Sequence, residues 1–409
     1  MNPALIDSAL AALPILLLAG GAAALAAFVL TPLAIRFAPR LGVMDQPDAA
    51  RRVHQRPIPR SGGLAVALAV VGVGTLGIAA SQFLDFPPLG AVRLQHVVGL
   101  FGGIVAGALL GYLDDRYQLR ARWQFGGQLL LAAIAIASGV LISDMVNPLG
   151  GGPLVFVGPV AMAVTGLWVV GMLNSVNFID GLDGLLAGVA VIATVTLGAV
   201  SLLVPPPQPV VALLCALVAG ALLGFLPYNF HPARVFLGTA GVFTIGYSLA
   251  VLSVIGSAKV AVALLVLGVP IIDTFWIIVR RLTERRSPFS PDRGHFHHRL
   301  LDLGLSHRQA VLVIYALGVV LAVLSLSLSG RGQISAFLIV VVIGGVGLYL
   351  ITRRAQVGFD RSSYPEQPEP GLLHDLREVA DPSAVGERDR PAGGPTDGDG
   401  RPTEQRGQP

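Results

Sequence analysis

The sequence predicts an all-α, polytopic transmembrane helix bundle of about eleven spans, with the N-terminus outside and the C-terminus in the cytoplasm. Three observations carry that expectation. The 409 residues are 54% hydrophobic and only 13% charged, against roughly 25% charged in soluble domains, so most of the surface does not face water. The mean hydropathy is +0.72. The apolar residues are gathered into runs of about 20, the length at which a helix crosses a hydrocarbon core with its backbone satisfied internally.

The runs are, in order, 10–35, 62–84, 96–113, 124–143, 153–173, 184–204, 209–227, 237–256, 258–280, 309–329 and 333–352. The first has no basic region before it and exceeds the roughly 7–15 residues of a signal-peptide core, so it reads as a retained span. After the sixth, Pro205-Pro206-Pro207-Gln208-Pro209 ends the helix and reads as a short external turn. A membrane domain is expected over 1–352. The remainder, 353–409, is rich in Pro, Gly, Asp, Glu and Arg, cannot bury a core, and is expected to be a disordered cytoplasmic tail. The single cysteine, Cys215, lies in an apolar run and excludes any disulfide or cysteine metal site within one chain.

Orientation follows from the cations. Alternate connections, counted from 36–61, hold 17 arginines, while the others hold only Arg93, Lys259 and Arg331. Lys and Arg concentrate on the cytoplasmic side, so the arginine-rich loops are assigned there. The dense polar clusters fall on the same side. One runs from Asp45 to Gly63 and contains His54 and Arg60. Asp114-Asp115 closes the third span, where adjacent carboxylates repel and a divalent cation would relieve them. Asn174-Ser175-Val176-Asn177-Phe178-Ile179-Asp180-Gly181-Leu182-Asp183-Gly184 carries two amides and two carboxylates but no cation. If helical, it presents Asn177, Asp180 and Asp183 on roughly one face. Tyr228-Asn229-Phe230-His231-Pro232-Ala233-Arg234 offers Asn229 to a base or sugar. Finally, 287–299 sets His295, His297 and His298 beside Arg293 and Arg299, which suits a pyrophosphate better than a plain zinc site. Carboxylates suit a metal and arginines suit phosphates. Together they point to metal-assisted phosphoryl transfer at the inner membrane face, between a soluble anion and a lipid. Nothing in the modest net charge of +4 points to nucleic acid.

Five ordered segments, DQPDAARRVHQRPIPRSGG, DDRYQLRARWQFGGQ, NSVNFIDGLDGL, GFLPYNFHPARVF and PFSPDRGHFHHRL, resemble the polyprenyl-phosphate N-acetylhexosamine-1-phosphate transferase family (glycosyltransferase family 4) over about 40–305. RRVHQRPIPRSGG and the His295-x-His297-His298 spacing look like the branch that moves GlcNAc-1-phosphate from a UDP-sugar to undecaprenyl or decaprenyl phosphate. They do not look like the phospho-MurNAc-pentapeptide branch. The resemblance implies a bundle of ten or eleven helices in the inner (plasma) membrane, a cytoplasmic site, UMP as leaving product, and Mg²⁺ (or Mn²⁺) as cofactor. Implied partners are a UDP-amino sugar, the polyprenyl phosphate and membrane lipid, with a homodimer admitted. It also implies roles. Asp114, Asp115, Asp180 and His297 would be catalytic. Asp114, Asp115, Asp180 and Asp183 would surround the metal. His54, Arg60, Asn174, Asn177, Asp183, Asn229, His295, His298 and Arg299 would bind substrate. Direct attack by the lipid phosphate and a covalent aspartyl intermediate both stay open.

The pattern departs from the family at Thr239, where the family usually has a metal-binding aspartate in Met-Gly-Asp-x-Gly-Ser. Val242 replaces a hydroxyl residue there, and Gln124 stands where many members carry a cation. A neutral hydroxyl is a poorer ligand for a hard cation than a carboxylate. Two other readings therefore stand beside the enzyme: a non-catalytic lipid-phosphate-binding or scaffold homologue, and a secondary transporter. The transporter would need ionisable groups near the midplane, and only Asp273 lies clearly within a span.

Overall fold

The computed structural model describes residues 3–46, 57–81, 92–147, 149–255, 260–283 and 296–358. His54, His295 and the expected tail beyond residue 358 lie outside the described residues. One compact unit covers Met1–Tyr349 and a second Leu350–Pro409.

The first apolar run forms α1 (Pro3–Leu41), followed by a minimal antiparallel pair, β1 (Met44–Asp45) and β2 (Ile58–Pro59). Then come α2 (Gly62–Ser81), α3 (Leu94–Tyr117) and α4 (Ala121–Ala137). A second hairpin, β3 (Asp144–Met145) with β4 (Leu154–Val155), precedes α5 (Pro159–Ile179), α6 (Leu185–Leu203), α7 (Pro209–Asn229) and α8 (Gly238–Val254). The rest is α9 (Val260–Val266), α10 (Gly268–Thr283), α11 (Phe296–Asp302), α12 (His307–Ser327) and α13 (Arg331–Gly358). The protein is an all-α, multi-pass membrane protein.

Each of the eleven apolar runs carries a helix, the ninth as α9 and α10 bent by 78°. Among the described residues, seven helices are long and apolar enough to cross a membrane alone, or eight if the bent pair is one span. At 17 residues each, α4 and α8 reach only about 26 Å at 1.5 Å per residue. The fifth run is displaced. Its helix begins at Pro159 rather than 153, because Gly158 adopts φ +51° and Pro159 occupies the first turn, where a missing N–H costs nothing. The same helix runs on to Ile179. Asn174 and Asn177 are therefore helical, while Asp180 and Asp183 lie beyond the helix end, and the three-residue spacing makes no common face. The helix stops there because a turn begins: Gly181 N donates to Ile179 O at 2.8 Å and Gly184 takes φ +80°.

Short α8 is the buried centre of the bundle. Ile245, Tyr247, Leu249, Ala250, Val251 and Leu252 have no exposed surface. Two polar contacts tie it to its neighbours: Tyr247 donates its hydroxyl to Gly99 O at 2.9 Å, and the Trp168 indole donates to Ala250 O at 3.2 Å. Large apolar side chains face outward instead, among them Leu18 at 72%, Leu76 at 71% and Leu167 at 75% exposure. In water this distribution would be costly. In lipid it is the expected one.

Candidate active site

The site is built around the N-terminus of α8. Gly111 of α3 and Gly63 of α2 lack side chains where α8 passes: a Cβ on Gly111 would lie 2.3 Å from Ala240 N, and one on Gly63 2.0 Å from Gly241 N. That approach sets the end of α3 against the opening turn of α8. Asp115 Oδ1 accepts from Thr239 N at 3.0 Å and its Oδ2 from Ala240 N at 3.1 Å. A carboxylate there meets the unpaired N–H groups and positive end of the helix. Gly238 makes the turn possible. It adopts φ +67°, and a Cβ on it would stand 2.5 Å from both Asp115 Oδ2 and Arg60 O.

Asp114 is held as firmly. Its Oδ1 accepts from Leu119 N at 3.1 Å and Gln124 Nε2 at 2.8 Å, and its Oδ2 from the Thr239 hydroxyl at 2.7 Å. Both aspartates are buried. The cation beside them is Arg60, whose guanidinium lies 3.8 Å from Asp115 Oδ1 and 3.7 Å from Asp45 Oδ1. Its loop is pinned by Phe236 N donating to Pro59 O at 2.8 Å, and by Gly62 N and Gly63 N donating to Phe236 O and Leu237 O.

The turn after α5 supplies the next carboxylates. Burial pushes the Asp180 carboxyl up to about 7; the Asp115 and Asp183 carboxylates add to the rise and Arg60 opposes it. Those couplings place Asp180 in electrostatic range of the Asp115 and Arg60 side chains. Gly181 leaves room for His297, since a Cβ on it would fall 2.3 Å from His297 Nε2. His297 and Arg299 are buried on α11, and the His298 ring packs 4.3 Å from that of His297. The start of α11 is tied to α10, Phe296 N donating to Asp273 Oδ1 at 2.9 Å. Asp273 thus anchors a helix end inside the bundle.

Asp183 is enclosed by His231, which the sequence motifs contain but to which they give no role, and by His307, which lies outside them. Its Oδ2 lies 2.7 Å from His231 Nδ1 and accepts from Ala233 N at 3.1 Å. An ionised carboxylate only accepts, so Nδ1 carries the proton and His231 Nε2 is left available. Asp183 N donates to His307 Nε2 at 2.9 Å, and the two imidazoles stack with centroids 4.2 Å apart. The ligating atoms of Asp183, His231 and His307 lie within 4.8 Å of one another. His307 has one local signal: Ser306 and Gln309 form a reciprocal capping box, which places it in the first turn of α12.

The expected substrate-binding residues divide. Arg60 faces Asp115 and Asp183 is electrostatically coupled to Asp180, while the expected catalytic His297 packs against Gly181. Asn229 is buried and acts as a clasp, its Oδ1 accepting from Gly184 N at 3.1 Å and its Nδ2 donating to Val235 O at 3.0 Å. Asn174 donates to Gln128 Oε1 and Val170 O, both at 2.8 Å, while Asn177 is exposed on α5.

Asp114, Asp115 and Asp180 supply carboxylate oxygens, the donor type a hard divalent cation takes, and among the described residues Arg60 is the cation that faces Asp115. Among the described residues the three side chains whose ligand atoms lie within 4.8 Å of one another are Asp183, His231 and His307, and the Asp114, Asp115 and Asp180 carboxylates do not form such a group. Lone pairs remain on Asp114 Oδ2 and on both Asp115 oxygens beyond the bonds above. Asp183 has Oδ1 to offer.

Comparison with known proteins finds relatives along most of the chain. The family described as glycosyl transferase family 4 matches residues 97–257. A Bacillus subtilis protein named probable undecaprenyl-phosphate N-acetylglucosaminyl 1-phosphate transferase is 37% identical over 78% of this chain and 87% of its own length. A Mycobacterium tuberculosis decaprenyl-phosphate N-acetylglucosaminephosphotransferase is 34% identical over 84% and 91%. A phospho-N-acetylmuramoyl-pentapeptide-transferase from Desulforudis audaxviator is 32% identical over 77% and 99%.

Proposed function

The chain belongs to glycosyl transferase family 4, in its polyprenyl-phosphate N-acetylglucosaminyl-1-phosphate transferase branch, and from that membership we propose the reaction it performs. It transfers GlcNAc-1-phosphate, or a related N-acetylhexosamine phosphate, from a UDP-sugar to undecaprenyl or decaprenyl phosphate. The reaction takes place at the cytoplasmic face of the plasma (inner) membrane. UMP leaves, and the lipid-linked sugar initiates a cell-surface polysaccharide. The observation that carries the reading is the meeting of Asp114, Asp115 and Arg60 at the N-terminus of α8, with Asp180 electrostatically coupled to Asp115 and Arg60 and the neighbouring Gly181 packed against His297.

Asp114, Asp115 and Asp180, with Asp183 through Oδ1, would hold Mg²⁺, which supplies neutralising charge to the donor pyrophosphate. Arg60 and His297 border the same space, and there Arg60 draws a phosphate oxygen while His297 stabilises charge that develops during transfer. His298 and Arg299, on the same short helix, hold the sugar and pyrophosphate, as do His54 and His295. An aspartate of the 114–115 pair takes the proton of the lipid phosphate, which then attacks the sugar-proximal phosphorus in line. Asn229 acts on substrate through the turn it fixes, and Asn174 by tying α5 to α4.

The test is direct. Purified protein in detergent, given UDP-GlcNAc, polyprenyl phosphate and Mg²⁺, should release UMP and form a lipid-linked sugar. No UMP from any UDP-amino sugar would overturn the proposal in favour of a lipid-phosphate-binding or scaffold protein.

A further inference from the structure

Gln124 and Thr239, the two polar departures from the family pattern, are far apart in the chain and meet on one carboxylate. Gln124 Nε2 donates to Asp114 Oδ1 at 2.8 Å, and Thr239 Oγ1 donates to Asp114 Oδ2 at 2.7 Å. Leu119 N completes the set at 3.1 Å. All three donors are neutral, and no ion pair to Asp114 occurs among the described residues. Thr239 serves both acids at once, because its N–H donates to Asp115 Oδ1 at 3.0 Å.

We propose that Gln124 and Thr239 are a coupled pair of positioning residues, a neutral clamp that orients Asp114 as an anion, and that neither position accepts charge unless the other takes the opposite charge. The physics is that of a buried carboxylate. A hydroxyl and an amide satisfy its oxygens without altering net charge. A carboxylate at position 239 would press a second anion on Asp114 within hydrogen-bond distance, with Asp115 beside it, and no cation at 124 to offset it. An ammonium at 124 alone would pair with Asp114 and reduce the negative charge the site presents. Both together restore balance. Thr239 is then a matched partner of Gln124, and restoring the family aspartate by itself would weaken the site.

The kinetic half of this inference rests on the proposed transfer reaction; the stability half does not. The experiment compares full-length wild type with Q124K, T239D, Q124K/T239D, T239S and T239V in detergent. The unfolding midpoint is read without added metal, and UMP release is read as kcat and KM. T239D alone should lower the midpoint and cut kcat about tenfold or more, and the double variant should recover most of both losses, the non-additivity expected of groups sharing one partner. T239S should stay within about threefold of wild type while T239V falls about tenfold in kcat with little change in KM, because only serine keeps the donor. If T239D fails to express and the double variant expresses, the coupling is supported. If neither expresses, T239S against T239V decides. Additive effects, T239D equal to or better than wild type, or T239V equal to T239S would overturn the clamp. Absence of UMP release from wild type would sink the proposed function, while the midpoints would still judge the clamp.

Discussion

Gly181 carries no side chain because the His297 imidazole occupies the space where one would stand: a Cβ there would lie 2.3 Å from His297 Nε2. Gly181→Ala must therefore push His297 away from Asp180. A displacement of about 1 Å at a reacting centre costs about 100-fold in rate, so UMP release should collapse while the unfolding midpoint moves little. His297 was legible in its motif. Its contact with Gly181 was not, because nothing local to either segment encodes their meeting. Asn229 shows the opposite case. A polar residue before a turn reads as a ligand-binding group, yet its side chain joins Gly184 N to Val235 O. Asn229→Ala leaves two backbone groups without their partners, at about 1–3 kcal/mol for an unsatisfied buried group. Denaturation in detergent should show that loss even when no substrate is present. The roles of His231, inside a quoted motif, and of His307, outside all of them, were not legible because their shared partner, Asp183, lies in a different segment.

At the scale of elements, α11 is seven residues long, too short to hold itself in water. Its first N–H is accepted by Asp273 of α10. An acid inside a span suggests transport when read from sequence. The structure gives this one a capping task that positions His297, His298 and Arg299. Asp273→Ala should speed hydrogen exchange over 296–302 and lower kcat about tenfold or more, with helices α2 and α3 as protected as before. The ends of α5 mark where periodicity alone misplaces an element. Hydropathy sees Leu154–Val157 as part of a span, whereas the hairpin and the positive φ of Gly158 exclude them from it. Polar Asn174 and Asn177 look like loop, but the helix carries them because Asn174 finds its partners in Gln128 and Val170.

At the scale of the whole molecule, apolar runs announced every long helix, since lipid demands them. They could not separate a helix that meets lipid from one enclosed by its neighbours: α8 reads as a span and is the core. Arginine bias predicts which face holds the site. With buried Cys215 replaced by alanine, a cysteine in place of exposed Leu149 should react with an impermeant thiol reagent in intact cells, and one in place of exposed Arg120 only after permeabilisation. Those positions flank α4, so opposite labelling would also establish that its 17 residues cross. Labelling of the position-120 cysteine in intact cells would place the site on the wrong face. Whether the carboxylates, Arg60 and His297 perform phosphosugar transfer is decided by UMP release across a panel of UDP-sugars with Mg²⁺ titrated. Release should require polyprenyl phosphate, saturate with Mg²⁺ and be greatest for UDP-GlcNAc. Release that ignores the lipid acceptor, or none from any donor at any Mg²⁺ concentration, would contradict that assignment.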